Sequence, residues 1–263
     1  MSIIKKKKVF CIIGESCSGK DHLVKFMGLL DPKYRQVVSY TSRPKRDNET
    51  DGVEHYFLNE REFAELKKNH AKDIVAYTRI TDPNNPNGGY EYMAMKDELN
   101  KSLFYIIDPN GLDYLKETVG DEYDLISIYI YCPFEMRKKR SQKNRNDEKK
   151  FMKRYMEERM QFDHYYRHRC FDYVIYNLDG LQTDSENTLK RIVEYELNER
   201  DIDHEYISVM STDHIKNEIN EAVSFLGNLL DLYTAQFIKN NQLVRVAESQ
   251  YKFIRNILLS HLR

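Results

Sequence analysis

Residues 9–21 are VFCIIGESCSGKD, and this stretch decides the fold. Its first five residues form a short apolar run, rich in β-branched side chains, that is typical of a buried strand. A glycine-containing loop follows, from Gly14 to Lys20. A helix is indicated after the loop by apolar residues at helical spacing, Leu23, Phe26, Met27 and Leu30. The stretch therefore predicts a strand, a loop and a helix, in that order.

The loop matches the GxxxxGK pattern that binds nucleotide phosphates, and it lies where that pattern must lie, between a strand and a helix. Glycines let the backbone curl so that successive N–H groups point at the phosphates, and the following helix adds the positive end of its dipole. Lys20 is expected to reach the β and γ oxygens and so to act in catalysis. We predict that ATP is bound by Gly14, Glu15, Ser16, Cys17, Ser18, Gly19, Lys20 and Asp21.

The residue after Lys20 departs from the pattern, because Asp21 replaces the usual Ser or Thr that binds Mg²⁺. A carboxylate is a hard oxygen ligand and can hold Mg²⁺ directly or through water. We therefore predict Mg²⁺ as the cofactor, with ATP as the co-substrate and Asp21 as a metal-site residue.

Three further buried-strand candidates follow, separated by charged sequence that suits helices: residues 104–107, 125–131 and 173–176. Alternation of strands with helices predicts a mostly parallel central sheet with helices on both faces. The predicted fold class is therefore α/β, of the P-loop NTPase type.

Two segments depart from this alternation. The polar stretch of about residues 40–100, with Pro, Asn and Gly turn signals at 82–89, suits an inserted substrate-binding subdomain. Beyond a core region of residues 1–197, residues 198–263 carry two apolar stripes at helical spacing and predict a helical extension. We expect those stripes to pack on the body of the protein or on a second copy, which would form a homo-oligomer.

Charge and cysteine content limit the partners and the compartment. The chain has 263 residues, with 41 Lys and Arg against 42 Asp and Glu, so electrostatics favour neither nucleic acid nor a membrane surface as a partner. No stretch approaches the roughly 20 apolar residues of a transmembrane helix, and the start does not resemble a secretory signal. The cysteines lack metal-site or disulfide spacing: Cys11, Cys17, Cys132 and Cys170. We expect a reducing cytoplasm.

A candidate site for an acceptor phosphate lies at residues 39–46, SYTSRPKR. Arg43 and Arg46 stand three residues apart beside hydroxyl side chains, and arginine forks bind phosphate oxygens in pairs. A solvated basic loop is the alternative, and the residue types alone leave the two equally open.

Five blocks occur in the order found in guanylate kinases, and through them residues 8–197 resemble that family. The blocks are the phosphate loop, the Ser-x-Thr-x-Arg-x-x-Arg segment at 39–46, Ile107 to Gly111, the arginine-rich helix that begins near Met136, and Phe171 to Ile175. The resemblance implies a kinase that moves the γ-phosphate of ATP onto a small-molecule nucleoside monophosphate, GMP or dGMP in the first place.

The resemblance also implies roles for individual residues. The acceptor phosphate would be held by Ser39, Arg43, Arg46 and Tyr90. A tyrosine that touches this phosphate in the family is replaced by His55, with Tyr56 beside it. Asp108 would lie near the metal and the transferring group. Residues 136–165 would close as a lid over ATP and bring the catalytic arginines Arg140, Arg145 and Arg154.

The positions that recognise guanine in the family are changed here. An acid, a hydroxyl and a second acid of the family align with Ile74 or its neighbour Asp73, with Tyr92 and with Ile106. Because unmet polar groups are costly, such changes relax or alter the choice of base. The acceptor is then GMP, dGMP, another deoxynucleotide or a phosphorylated sugar, with Tyr90, Tyr92 and the insertion 81–89 as candidate sources of new contacts.

A binding module is the main alternative from another functional class. Guanylate-kinase-like domains of scaffold proteins have lost catalysis and bind phosphorylated peptides through the acceptor site, but they generally lack a working phosphate loop. Because Gly14, Gly19 and Lys20 are all present, we expect an enzyme.

Overall fold

A computed structural model describes residues 6–47, 49–82, 85–145, 148–168 and 171–197, with backbone alone at 144–145, 148–150, 160 and 163–168. The strands are β1 Lys7–Ile13, β2 Ser39–Thr41, β3 His55–Phe57, β4 Ile74–Thr81, β5 Gly89–Met95, β6 Phe104–Ile106, β7 Tyr123–Tyr131 and β8 Tyr173–Tyr176. The helices are α1 Lys20–Leu30, α2 Glu60–Asn69, α3 Lys96–Lys101, α4 Pro109–Val119, α5 Phe134–Arg145, α6 Glu148–His168 and α7 Gln182–Glu196.

The central sheet has the order β6-β1-β7-β8, and every neighbouring pair is parallel. Ile12 of β1 pairs with Ile106 on one side and with Ile128 on the other. The chain leaves β1 toward β6 and later returns to its opposite side with β7, so the strand order reverses at β1. Ligands of open α/β sheets bind at the carboxyl ends of the strands around such a reversal. The predicted parallel sheet is confirmed.

β1 is central because both of its faces are apolar. Val9, Cys11 and Ile13 pack on one face with residues of α4, and Phe10 and Ile12 pack on the other face with α1 and α7. All five of these β1 side chains are fully buried, as expected for a parallel strand covered by helices on both sides. The loop at the end of β1 therefore begins from a rigid support.

A second sheet of order β3-β2-β5-β4 occupies the stretch where the sequence predicted an inserted subdomain. β2 is parallel to β3, whereas β5 is antiparallel to both of its neighbours. Helix α2 covers one face through the buried Phe63, and it begins with a capping box between Asn59 and Glu62. The sequence did not predict these strands, because β2 and β3 have only three residues each, and β4 and β5 mix buried positions with partly exposed ones. The substrate-binding role of this subdomain stays a prediction.

Helices α5 and α6 occupy most of the segment that the resemblance implies to be a lid. None of the helices within the described residues could span a membrane. The two helices predicted within residues 198–263 lie outside the described residues, as does Cys170.

Candidate active site

The phosphate loop is shaped by one glycine and one lysine. Gly19 has a left-handed φ of 97°, and a Cβ there would lie 2.1 Å from Asn177 Nδ2, so no other residue fits without a shift. The Lys20 Nζ donates to the carbonyl oxygens of Gly14 at 2.6 Å and Glu15 at 3.0 Å. The loop thus curls around the Lys20 ammonium at the carboxyl end of β1, where the motif predicted it.

The underside of the loop is fixed by two residues from other elements. Asn177, directly after β8, donates through Nδ2 to the Ser18 carbonyl oxygen at 2.7 Å. Arg140 of α5 donates to the same oxygen at 3.3 Å and forms an ion pair with Asp179 at 2.9 Å. Sequence analysis did not single out Asn177, although it stands two residues beyond the Phe171–Ile175 block. Arg140, predicted as catalytic, here supports the backbone of the loop.

The acceptor candidates Ser39, Arg43, His55 and Tyr92 form one cluster. Ser39 Oγ and His55 Nδ1 are 2.8 Å apart, the ring of Tyr92 meets the His55 ring edge-on, and Arg43 Nε donates to the Tyr92 hydroxyl at 3.2 Å. The cluster forms because β2, β3 and β5 are neighbours, so alternate side chains of the three strands meet on one face of the sheet.

Glu49, to which the sequence patterns gave no role, binds Arg43 of the cluster and the neighbouring Arg46. Its carboxylate accepts from Arg43 Nη1 at 2.9 Å and Nη2 at 2.8 Å, and it lies 3.4 Å from Arg46 Nη1. Burial by itself would raise the pKa of Glu49, but the hydrogen bonds from Arg43 and Arg46 outweigh it and leave the pKa below its ordinary value. Four of the five N–H groups of Arg43 are therefore engaged: two donate to Glu49, one to the Tyr92 hydroxyl and one to the Pro44 carbonyl oxygen.

Burial lowers the pKa of His55 from 6.5 to about 4, and the positive charge of Arg43 adds to the effect. The other charges that act on the ring are Glu49, Asp21 and Arg46, of which the two acids partly oppose the shift. His55 is therefore neutral at pH 7.

We expect the free energy of unfolding to decrease as the pH falls from about 6.5 to about 4, by roughly 3 kcal/mol from His55. Above pH 6.5 the ring is neutral in both states and contributes no pH dependence. Below it, the unfolded chain binds the proton first, which favours unfolding. Urea titrations across this range should show a shallower decrease for His55→Gln. The control His70→Gln, at an exposed site beside Asp73, should keep the wild-type slope, and equal slopes for wild type and His55→Gln would contradict the prediction.

The remaining acceptor candidates lie apart from the centre of the cluster. Tyr56 stacks on Tyr40 with ring centroids 4.7 Å apart, on the side of β3 opposite to His55. Tyr90 lines a cavity of about 490 Å³, and Arg43 lines the same cavity. Its other lining residues are Ser42, Pro44, Phe57, Leu58, Asn59, Glu60, Asn85 and Pro86. Part of the predicted insertion thus reaches a cavity next to the acceptor cluster.

The two predicted metal-site residues differ in how well they suit Mg²⁺. Asp108 caps α4 and accepts from Gly111 N at 3.1 Å and Thr78 Oγ1 at 3.3 Å, and burial raises its pKa. Asp21 is exposed at the end of the phosphate loop. Among the described side chains there is no group of three His, Cys, Asp or Glu that could hold a metal. Mg²⁺ in kinases needs only one or two carboxylates beside the nucleotide phosphates, which Asp21 fits better than Asp108.

The other positions singled out in the sequence are dispersed. Arg154 is half-buried on α6, and the side chain of Arg145 lies outside the described residues. Of the positions aligned with the guanine contacts, Asp73 is exposed beside His70, Ile74 is buried under α2, and Ile106 packs in the central sheet. Only Tyr92 lies in the acceptor cluster.

Comparison with known proteins gives a consistent result. A family model described as guanylate kinase matches residues 6–196. The guanylate kinase of Rickettsia felis is 28% identical over 203 residues, covering 76% of this chain and 98% of that protein. That of Agrobacterium fabrum is 24% identical over 211 residues, covering 78% and 89%. Among solved structures, guanylate kinase from Anaplasma phagocytophilum is similar at 17% identity and a TM-score of 0.47, covering 74% of this chain and 89% of that chain.

The matched region runs from the start of β1 to the end of α7 and includes the phosphate loop and the acceptor cluster. It extends well past half of the 263 residues. Together with the α/β fold and the loop geometry, this match shows that the chain belongs to the guanylate kinase family.

Proposed function

We propose that this chain is an ATP-dependent nucleoside monophosphate kinase that converts GMP or dGMP, with ATP, to the diphosphate and ADP. The observation that carries the proposal is that the chain holds both a phosphate loop curled around Lys20 and a separate pair of arginines, Arg43 and Arg46, positioned by Glu49. A kinase needs such an arrangement, because the donor and acceptor phosphates must meet in line.

The mechanism relies on positioning and positive charge, since phosphoryl transfer needs little covalent chemistry from the protein. Lys20 binds the β and γ oxygens once they replace the loop carbonyls that now hold its ammonium. Arg43, Arg46 and Ser39 hold the acceptor phosphate, with Arg43 oriented by Glu49 and Tyr92. Asp21 would hold Mg²⁺ beside the nucleotide phosphates, and the bound ion would supply charge neutralisation.

The residues near the expected position of the acceptor base depart from the pattern of the family. Tyr92 places a large ring against His55 and Arg43 where the family resemblance implies a small hydroxyl. The cavity beside Arg43 offers the rings of Phe57 and Tyr90, and the buried Asn85 closes its wall through hydrogen bonds to Gly89 and Asn87. These features favour an acceptor other than GMP as the second candidate, either another deoxynucleoside monophosphate or a phosphorylated sugar.

We infer a reducing cytoplasmic setting from free thiols at Cys11, Cys17 and Cys132. Nucleotides are the inferred partners, whereas nucleic acid and membranes are not. Assembly through the helices predicted at 198–263 stays a proposal, and a sedimentation measurement on the full chain and on residues 1–197 would test it.

The function is tested by ADP release from Mg·ATP with a panel of acceptors: GMP, dGMP, the other nucleoside monophosphates and ribose 1,5-bisphosphate. Rapid turnover with GMP or dGMP is the expected result. Turnover with another acceptor alone would replace the guanine assignment while keeping the kinase. Binding of ATP without turnover on any acceptor would favour a phosphopeptide-binding module instead.

A further inference from the structure

A carboxylate from the lid segment occupies the outer side of the phosphate loop. Glu158 of α6 accepts a hydrogen bond from the Ser16 backbone N–H at 2.9 Å through Oε2, and another from the Ser16 hydroxyl through Oε1. Backbone N–H groups of such loops are the donors that bind phosphate oxygens. Glu158 therefore marks a position on the loop where an anion is already bound.

Arg137 of α5 faces the same position and is not among the arginines predicted from the sequence. Its side chain is only 4% exposed, and its Nη1 lies 3.9 Å from Glu158 Oε2, the oxygen that bonds to Ser16. Nη1 is buried and makes no hydrogen bond with any of the described residues. Because a buried donor without an acceptor is costly, Nη1 would be better satisfied by an anion that approaches it more closely than the Glu158 carboxylate does.

Arg137 also forms an ion pair with an acidic residue of the phosphate loop, Glu15. Arg137 Nη2 lies 3.4 Å from Glu15 Oε1, and the Tyr129 hydroxyl donates to Glu15 Oε2 at 2.6 Å. An uncompensated carboxylate here would repel a nucleotide. Arg137 and Tyr129 hold the Glu15 charge at the side of the loop, so that the N–H groups stay available for phosphate.

We propose that the γ-phosphate of ATP binds where the Glu158 carboxylate now lies, with Ser16 and Arg137 as its ligands, so that ATP must displace Glu158. A phosphate oxygen in place of Glu158 Oε2 would lie within reach of both the Ser16 N–H and Arg137 Nη1. Two anions cannot share this position, because like charges at such distances repel strongly. The inference rests on the proposed function, since it takes the loop to be the ATP site.

Arg140 cannot take this role in the same conformation. Its guanidinium is directed at the carbonyl oxygens of Ser18 and Asn177 and at Asp179, on the underside of the loop. Of the two α5 arginines whose side chains are described, Arg137 is thus the one that faces Glu15 and Ser16.

The test compares Mg·ATP and Mg·ADP binding by titration calorimetry on the full chain without acceptor. Glu158→Gln keeps the shape but removes the competing charge, so we expect it to tighten ATP binding about tenfold and to change ADP binding less than about twofold. Arg137→Gln should weaken ATP binding about tenfold and ADP binding clearly less, because ADP loses only the neutralisation of Glu15. The matched control is Glu157→Gln, whose carboxylate contacts Thr81 and Lys153 instead, and it should behave as wild type.

Opposite shifts in ATP affinity for Glu158→Gln and Arg137→Gln, each larger than the change in ADP affinity, would support the proposal. Weaker ATP binding by Glu158→Gln, or equal changes for ATP and ADP, would overturn it while leaving the kinase assignment intact. If Arg137→Gln does not fold, the Glu158→Gln result decides alone. A wild-type chain that binds neither nucleotide would overturn the proposed function and this inference with it.

Discussion

Replacing Lys20 by alanine should abolish phosphoryl transfer, lowering kcat by roughly a thousandfold or more. The Lys20 ammonium lies inside the phosphate loop, within 3.0 Å of two loop carbonyl oxygens. Alanine leaves the curl of the loop intact, because Gly19 and the contacts of Asn177 and Arg140 fix the backbone from below. The loss should therefore lie in transition-state charge stabilisation and not in folding.

The measurement is ADP release with the best acceptor from the panel, together with a thermal unfolding curve. Lys25→Ala is the matched control, because Lys25 is exposed on the same helix, α1, and should keep wild-type turnover. Retention of normal turnover by Lys20→Ala would remove Lys20 from the mechanism.

Arg43→Ala should lower kcat/KM for the acceptor by roughly a hundredfold while ATP affinity changes little. It should also cost about 3 kcal/mol of stability, because it leaves the Glu49 carboxylate without its bidentate partner. Both side chains of this pair are only 9% exposed, so solvent does little to screen the loss. The two effects are separated by adding Glu49→Gln, which should recover part of the stability but none of the acceptor binding.

Arg61→Ala provides the comparison for the Arg43 variant. Arg61 pairs with Glu65 on the surface of α2, with side chains 88% and 59% exposed, so its loss should cost less than about 0.5 kcal/mol. Urea unfolding and acceptor-dependent kinetics measure both variants. An acceptor profile unchanged in Arg43→Ala would show that Arg43 holds Glu49 only and does not bind the phosphate.

Local patterns in the sequence were sufficient to predict the strands of the central sheet and the position of the phosphate loop. Strand β8 has the predicted bounds, and β1 extends only two residues before the predicted run. The parallel sheet is confirmed because burial on both faces requires a continuous apolar run, and the loop lies between β1 and α1, where its glycine spacing predicted it. By contrast, β2 and β3 of the second sheet have only three residues each, and β4 and β5 mix buried positions with partly exposed ones, so the apolar pattern of this sheet is weak.

The sequence by itself determined the fold class, the position of the phosphate loop and the pair of arginines in the acceptor segment. Only the tertiary structure decided which charged groups meet. Ser16 and Glu158 are 142 residues apart, and Arg140 lies 122 residues from the carbonyl it supports. Spacing along the chain indicates which face of a strand or helix a residue occupies, but its partner depends on how distant elements pack together. For that reason Arg137, Glu158 and Asn177 became functional candidates only when α5, α6 and β8 were placed around the end of β1.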